Sequence, residues 1–192
     1  MAQEPFDSLP ASLWKNARQN GLIMIHRDTP GQLSTSTKIT RDSEPGVPLL
    51  IAGQVFAPDG RTPAAGVTVY AYNTDADGYY GVNRAEYPPR IYGWMKTGAD
   101  GRFELRTIRP GRYPAMRVPA HVHITLWGGG YPIQSPPEVQ FAGDSYLTAE
   151  MLAEDARLGA FRSVREWRRG KDGIARCDYQ ARLQRETTFR VG

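Results

Sequence analysis

From Leu49 onward the apolar residues come in short runs separated by turn formers. LLIAGQVFA, GVTVYAYN, IYGWMKT, RFELRTI and AHVHITLW are each rich in β-branched and aromatic side chains and read as strands. Asp-Gly pairs punctuate the chain at 59–60, 77–78, 100–101 and 172–173, two of them directly between strand candidates. Such pairs tolerate the left-handed φ values that tight hairpins need. Ahead of the strands, residues 7–20 suit a short helix, with Pro10 near its start and Gly21 as a stop. Residues 27–48 are polar and turn-rich, which predicts an extended arm. TAEMLAEDA, residues 148–156, predicts one short amphipathic helix followed by Gly159, and AFRSVREWRRGKDGIARCDYQARL predicts a closing hairpin. The sum is an all-β chain: a single antiparallel β-sandwich with long loops and one or two short helices. Residues 1–48 supply the N-terminal helix and arm, and residues 49–192 the sandwich domain.

Composition narrows this without changing it. The 192 residues are enough for one domain with its own core, and 15 prolines with 20 glycines favour short elements joined by turns. No run of 18 apolar residues exists, so no membrane-spanning helix is expected. The first twenty residues lack the apolar stretch of a signal peptide. Cys177, the one cysteine, excludes an internal disulfide and makes a reducing cytoplasm the default. The net charge of +4 is concentrated late: residues 157–185 hold nine Lys or Arg against three Asp or Glu. No recognition helix or RNA-binding aromatic motif accompanies that charge, so the partner expected is not a nucleic acid.

Candidate chemistry centres on RYPAMRVPAHVHITLWGGG, residues 112–130, which holds two of the three histidines. Side chains alternate faces along a strand, so His121 and His123 project from one side with Cα atoms ~6.6 Å apart. That gap lets two imidazoles converge on one metal, although a short H-x-H is more often a pair of satisfied sheet histidines. Zinc would want further His, Cys or carboxylate ligands, and those are sparse here. Tyrosine is abundant: Tyr70, Tyr72, Tyr79, Tyr80, Tyr87, Tyr92 and Tyr113 all precede His121 within about fifty residues. A phenol ionises near pH ~10, so it ligates at neutral pH only where the metal displaces the proton. A hard trivalent ion does that. Two tyrosinates and a hydroxide would balance Fe(III), leaving two neutral imidazoles to complete its coordination.

TDADGYY, GWMKTGADGRFELRTIRPGRYP, PAHVHI and VQFAGD, in that order, resemble the intradiol ring-cleavage dioxygenases, most of all their protocatechuate 3,4-dioxygenase β-subunit-like branch. The similarity runs from about residue 44 to 145, with a weaker echo in CDYQARL. It implies a sandwich holding non-haem Fe(III) through Tyr80, Tyr113, His121 and His123. Tyr79 adjoins Tyr80 but points to the other face if the stretch is extended. The reaction implied opens a catechol between its two hydroxylated carbons, inserts both atoms of O2 and yields a muconate-type diacid. In it Tyr113 serves as axial ligand and base, while Tyr80 stays on the metal. Family members usually assemble, so a homo-oligomer is expected.

Three positions depart from that family. Val118 stands where the protocatechuate branch has an arginine; Arg117 is displaced by one, which on a strand reverses its direction. Glu138 replaces a glutamine, with Gln140 on the same parity. Ala115 replaces a bulky aromatic, which predicts a wider pocket and altered substrate choice. A different class also fits residues 50–113, a transthyretin-like sandwich module that only binds or spaces, but it does not account for P-A-H-V-H after Tyr113. Of the remaining residues, His26 is expected to pack or cap locally. Trp94 and Trp127 are expected as core, and GGGYP, residues 128–132, as a substrate loop or a plain turn.

Overall fold

The computed structural model describes residues 29–84 and 89–188. The helix expected over 7–20, together with His26 and Tyr87, lies outside them. Eleven strands occur in chain order among the described residues: β1 (Ser36–Lys38), β2 (Pro48–Phe56), β3 (Val67–Asn73), β4 (Ile91–Lys96), β5 (Arg102–Ile108), β6 (His121–Gly128), β7 (Tyr131–Gln134), β8 (Val139–Phe141), β9 (Val164–Arg165), β10 (Arg168–Arg169) and β11 (Ala175–Arg182). One α-helix occurs among the described residues, α1 (Ala149–Ala156), which precedes β9. Thr148 caps it, its hydroxyl accepting from the Met151 N–H at 3.2 Å, and none of its residues is fully buried.

The strands form two layers. One sheet runs β1-β5-β2-β11-β10 and the other β4-β3-β6-β8-β9, with β7 also paired to β6. Alternation decides what lies between them. Leu49, Ile51 and Val55 of β2, Val69 of β3, Phe103 and Leu105 of β5 and Val122, Ile124 and Leu126 of β6 all face the shared core. Each such side chain contributes about 1.5–3 kcal/mol on burial, so a one-residue slip in any central strand would forfeit the layer.

The expected sandwich is present, but three pairings are parallel: β1 with β5, β8 with β9, and β11 with β2. The closing hairpin survives only as two rungs between β10 and β11. β11 instead makes eight parallel rungs with β2, because Ala175, Cys177, Tyr179 and Ala181 fill the core beside that strand. GGGYP closes the β6–β7 turn at the end of β6 opposite to His121.

Alternation has a second consequence. With Val69, Ala71 and Met95 facing the core, Tyr70, Tyr72, Tyr92, Trp94, His121, His123 and Trp127 stand on the outer face of the second sheet. Trp94 and Trp127 are thus not interlayer core residues. Trp127 is buried against the outside of its sheet, and Trp94 is half-buried beside Tyr70 at 5.4 Å between ring centroids.

Candidate metal centre

β6 opens at His121, whose position is fixed at once by its own backbone. Its Nδ1 lies 2.7 Å from the Pro119 carbonyl, an acceptor only, so Nδ1 carries the proton and Nε2 presents a lone pair. Two residues on, His123 Nδ1 lies 2.7 Å from Glu138 Oε1. The carboxylate likewise accepts, so His123 too turns an unprotonated Nε2 to the same side. Tyr72, its rung partner on β3, stacks on the imidazole at 4.3 Å and 15°. The two Nε2 atoms are 3.0 Å apart.

The tyrosines arrive on two turns that interlock. After β3 the chain folds back through Asp75, whose carboxylate accepts from the Asp77 and Tyr79 amides and whose backbone N–H donates to the Tyr79 carbonyl. Arg90 ties this turn to the arm with a two-pronged pair to Glu44, both contacts 2.7 Å, and a 3.2 Å contact to Asp75. The second turn comes after β5. Gly111 donates to the Asp75 carbonyl at 2.8 Å, and its own carbonyl accepts from the Thr74 hydroxyl at 2.8 Å. Two glycines permit the approach. A Cβ on Gly78, held at φ +91°, would meet the Arg112 carbonyl oxygen at 1.9 Å, and one on Gly111 would meet the Ala76 carbonyl oxygen at 2.4 Å. Asp144 buckles the second turn to the start of β6, accepting from the Ala120 amide at 3.0 Å and pairing with Arg112 at 3.5 Å.

These supports bring four donor atoms together. The Tyr80 and Tyr113 hydroxyls touch each other. Tyr80 Oη lies 2.7 Å from His123 Nε2; Tyr113 Oη lies 2.9 Å from His121 Nε2 and 3.3 Å from His123 Nε2. Donors sharing one ion at about 2.1 Å sit about 3 Å apart when adjacent, so the observed spacing suits a single metal. Both imidazole lone pairs face inward at each other, an arrangement that only a proton or a cation between the donors relieves. Burial pushes both phenols above the ordinary tyrosine range, and burial lowers His121. Without a cation, then, the tyrosines hold their protons and His121 stays neutral. Burial opposes ionisation of Glu138, but the His123 hydrogen bond and the two nearby imidazoles outweigh it and hold the carboxyl below its usual value. His121, His123 and Glu138 form a group able to hold a metal, with ligand atoms within 4.8 Å of one another. Glu138 Oε1 is engaged at the Nδ1 edge of His123, and Oε2 lies 3.8 Å from His121 Nε2.

The remaining candidates separate. Tyr79 lies beneath the Arg84 guanidinium at 5.4 Å rather than among the donors. Arg117 is exposed over the Tyr146 ring at 5.5 Å. Ala115 is exposed and Val118 half-buried on the same loop; Gln140 is half-buried and pairs in register with His121. Three residues at the centre escape sequence reasoning: Tyr72 as the stacking surface, Asp144 as the buckle, and Glu138 as the partner of His123. The even spacing of Tyr72 from Tyr70 and the D in VQFAGD were the available signals.

Residues 22–184 match the family model described as "Dioxygenase". The chain belongs to the intradiol dioxygenase family. It is 34% identical to the 6-chlorohydroxyquinol 1,2-dioxygenase of Cupriavidus pinatubonensis over 70% of its own length and 52% of that protein. It is 30% identical to the protocatechuate 3,4-dioxygenase β chain of Burkholderia cepacia over 58% of its length and 52% of that chain. The chain thus spans about half the length of the curated relatives it matches. Among solved structures, the dioxygenase domain of a dioxygenase and carbohydrate-binding protein fusion from Streptomyces sp. SirexAA-E superposes with TM-score 0.61 at 26% identity, covering 83% of this chain and 91% of that one.

Proposed function

We propose that Tyr80, Tyr113, His121 and His123 hold one Fe(III) ion. On that reading the chain is an intradiol dioxygenase that opens a catechol-type ring between its hydroxylated carbons with both atoms of O2, yielding a muconate-type diacid. The observation that carries this reading is the convergence of two phenol oxygens and two Nε2 lone pairs, each within 3.3 Å of at least two of the others. Hard phenolate oxygen favours a trivalent ion, and two phenolates offset most of its charge without a buried counter-ion. When bound, the ferric ion supplies Lewis acidity and a route for electrons between a catecholate and O2.

The protein's own groups handle protons and position. Tyr80 Oη and Tyr113 Oη release theirs as the site fills. Tyr113, on the P-G-x-Y-P turn, then takes back a proton at Oη from an incoming catechol hydroxyl, while Tyr80 stays ionised. His121 and His123 keep their Nε2 lone pairs because Pro119 and Glu138 hold their Nδ1 protons, and ligand-orienting partners of this kind tune bound metals. Tyr72 fixes the His123 ring plane. A sandwich that only binds or spaces has no use for such an arrangement.

Substrates of the catechol and hydroxyquinol class fit the relatives' names, and the carboxylate of Glu138 at the centre weighs against protocatechuate. One buried thiol, Cys177, suits a reducing cytoplasm, and no helix of the described residues is long and apolar enough to cross a membrane. The protein acts as a homo-oligomer. Iron analysis with a visible spectrum, followed by O2 uptake on catechol, hydroxyquinol and protocatechuate, tests the reading. A burgundy protein consuming one O2 per ring opened is expected. A colourless protein that stays iron-free after ferric reconstitution overturns it.

A further inference from the structure

The outer face of the first sheet lies across the core from the metal centre, and it sorts its charges into rows. The strand registers set Lys38, Arg106, Leu50, Arg176 and Arg168 side by side across all five strands. Two residues along, the same registers give Ser36, Glu104, Ala52 and Asp178, and continuing the β10–β11 register places Glu166 beside Asp178. One row is basic and its neighbour acidic, each with an apolar residue at its middle.

A solvated sheet face usually sets opposite charges across neighbouring strands, since like charges directly opposite destabilise it. Here Lys38 faces Arg106, Arg176 faces Arg168, and Glu166 faces Asp178. The partners available within the chain run along it instead: Glu104 for Arg106 at 2.7 Å, Asp42 for Lys38 and Asp172 for Arg176. Such exposed pairs are worth little. Arg168, Glu166 and Asp178 make no ion pair among the described residues. Leu50 and Ala52 lie half-buried between the charges.

The geometry points to a second copy of this chain as the occupant of this face, related by a two-fold axis that lies parallel to the rows and midway between them. Rotation about that axis carries each basic row onto the other's acidic row and preserves position along it. Arg106 then meets Glu104 of the partner subunit, Arg176 meets Asp178 of the partner subunit, Arg168 meets Glu166 of the partner subunit, and Leu50 meets Ala52 of the partner subunit. An axis along the strands sets like on like, so the rows also fix the orientation. The contact is isologous, as closed dimers require. The strands of this sheet run three, nine, seven, two and eight residues, which at ~4.8 Å by ~3.3 Å per residue gives roughly 460 Å² per protomer. That falls well below the ~800 Å² of a standard interface, so the dimer is weak and sensitive to salt. Both metal centres stay outward and open.

Sedimentation velocity on the full chain tests this. The wild type is dimeric at low salt and monomeric once salt shrinks the Debye length to about 3 Å. Arg106→Glu with Arg176→Glu sets carboxylates opposite Glu104 and Asp178 of the partner subunit; Glu104→Arg with Asp178→Arg sets guanidiniums opposite Arg106 and Arg176 of the partner subunit. Each double variant alone is monomeric, and an equimolar mixture forms a heterodimer, because the facing charges at 104–106 and 176–178 are then again opposite in sign. Circular-dichroism melts verify folding. Should a double variant fail to fold, Arg176→Glu and Asp178→Arg alone and mixed carry the same test. A wild type that is monomeric at low salt, a dimer that survives either reversal, or a mixture that stays monomeric overturns the proposal.

Discussion

The two outer faces of this sandwich are built from the same alternation and end up chemically opposite. On the first sheet Glu104, Arg106, Arg176 and Asp178 face outward in rows around Leu50 and Ala52, and the Gly159–Phe161 turn reaches that sheet at its Phe56 and Arg182 end. On the second, the outward residues of β3 and β6 are Tyr72, His121 and His123, and the two long turns after β3 and β5 fold back over them. The difference lies less in the strands than in the turns that leave them. A strand sets two imidazoles on one face, but only the glycine-on-backbone clasp at Gly78 and Gly111 delivers two phenols to meet them. Strand alternation yields a face, and interlocked turns convert a face into a centre.

If that division is right, His123→Ala abolishes iron binding, the visible band and turnover together, while Arg106→Glu with Arg176→Glu leaves iron content and turnover at wild-type levels. Metal analysis and absorbance on the two proteins decide it; a His123→Ala protein that keeps its iron places the metal elsewhere. Gly111→Ala acts on the clasp instead. Its Cβ would lie 2.4 Å from the Ala76 carbonyl oxygen and 2.5 Å from the Gly78 nitrogen, with no flexible side chain able to give way. Overpacking of this kind costs about 1–3 kcal/mol, and each kcal/mol lowers the melting temperature of a chain this size by about 2–4 °C. Iron content falls with it. Gly31→Ala, with nothing within 4 Å, is the matched control and should melt with the wild type.

Glu138 tests how far the centre depends on what stands behind its ligands. Glu138→Ala removes the acceptor for His123 Nδ1, and losses of this kind weaken metal affinity by about 10–100-fold. Glu138→Gln keeps an acceptor oxygen but not the charge, so its affinity falls between the two. With less electron density reaching His123, a bound ferric ion would become a better acceptor, and its tyrosinate charge-transfer band would move to longer wavelength. Competition with a chelator, read by the same band, measures both effects. An unchanged band in Glu138→Gln means the carboxylate is spectator to the metal.

Much of this is legible in the sequence because it is local. Strand runs such as VTVYAYN and AHVHITLW carry their own alternation, so β3 and β6 lie within a residue of where they are expected, and the shared parity of His121 and His123 comes with them. The meeting of Tyr80 with Tyr113 was reachable only through resemblance, since nothing in DGYY distinguishes Tyr80 from Tyr79 until the turn at Asp75 is folded. What stayed hidden depends on long-range register. The parallel pairing of β11 with β2 joins residues more than a hundred positions apart, and a tail rich in Arg and Gly looks like a hairpin when only its neighbours are visible. Glu138 read as a departure from the family and not as a partner, because its contact to His123 exists only once β8 has docked beside the start of β6.

Cys177 reports on the layer that separates the two faces. It belongs to β11 of the charged sheet but turns inward, 5% exposed, and burial pushes its thiol up from an ordinary value of 9.0 to about 12. At pH 8 the thiolate fraction of the folded protein is then about a thousandfold lower than that of an unfolded chain, since each pKa unit is a factor of ten. Alkylation by iodoacetamide should therefore be slowed at least that much in the native protein and restored in denaturant, with no disulfide to reduce first. The comparison extends to the dimer. If the charged face closes on a second copy, the native rate falls further at low salt than at high salt, whereas loading the metal centre across the core leaves it unchanged. A native rate near the denatured one would mean that β11 opens readily from β2, and that the charged face is not the rigid platform its two rows require.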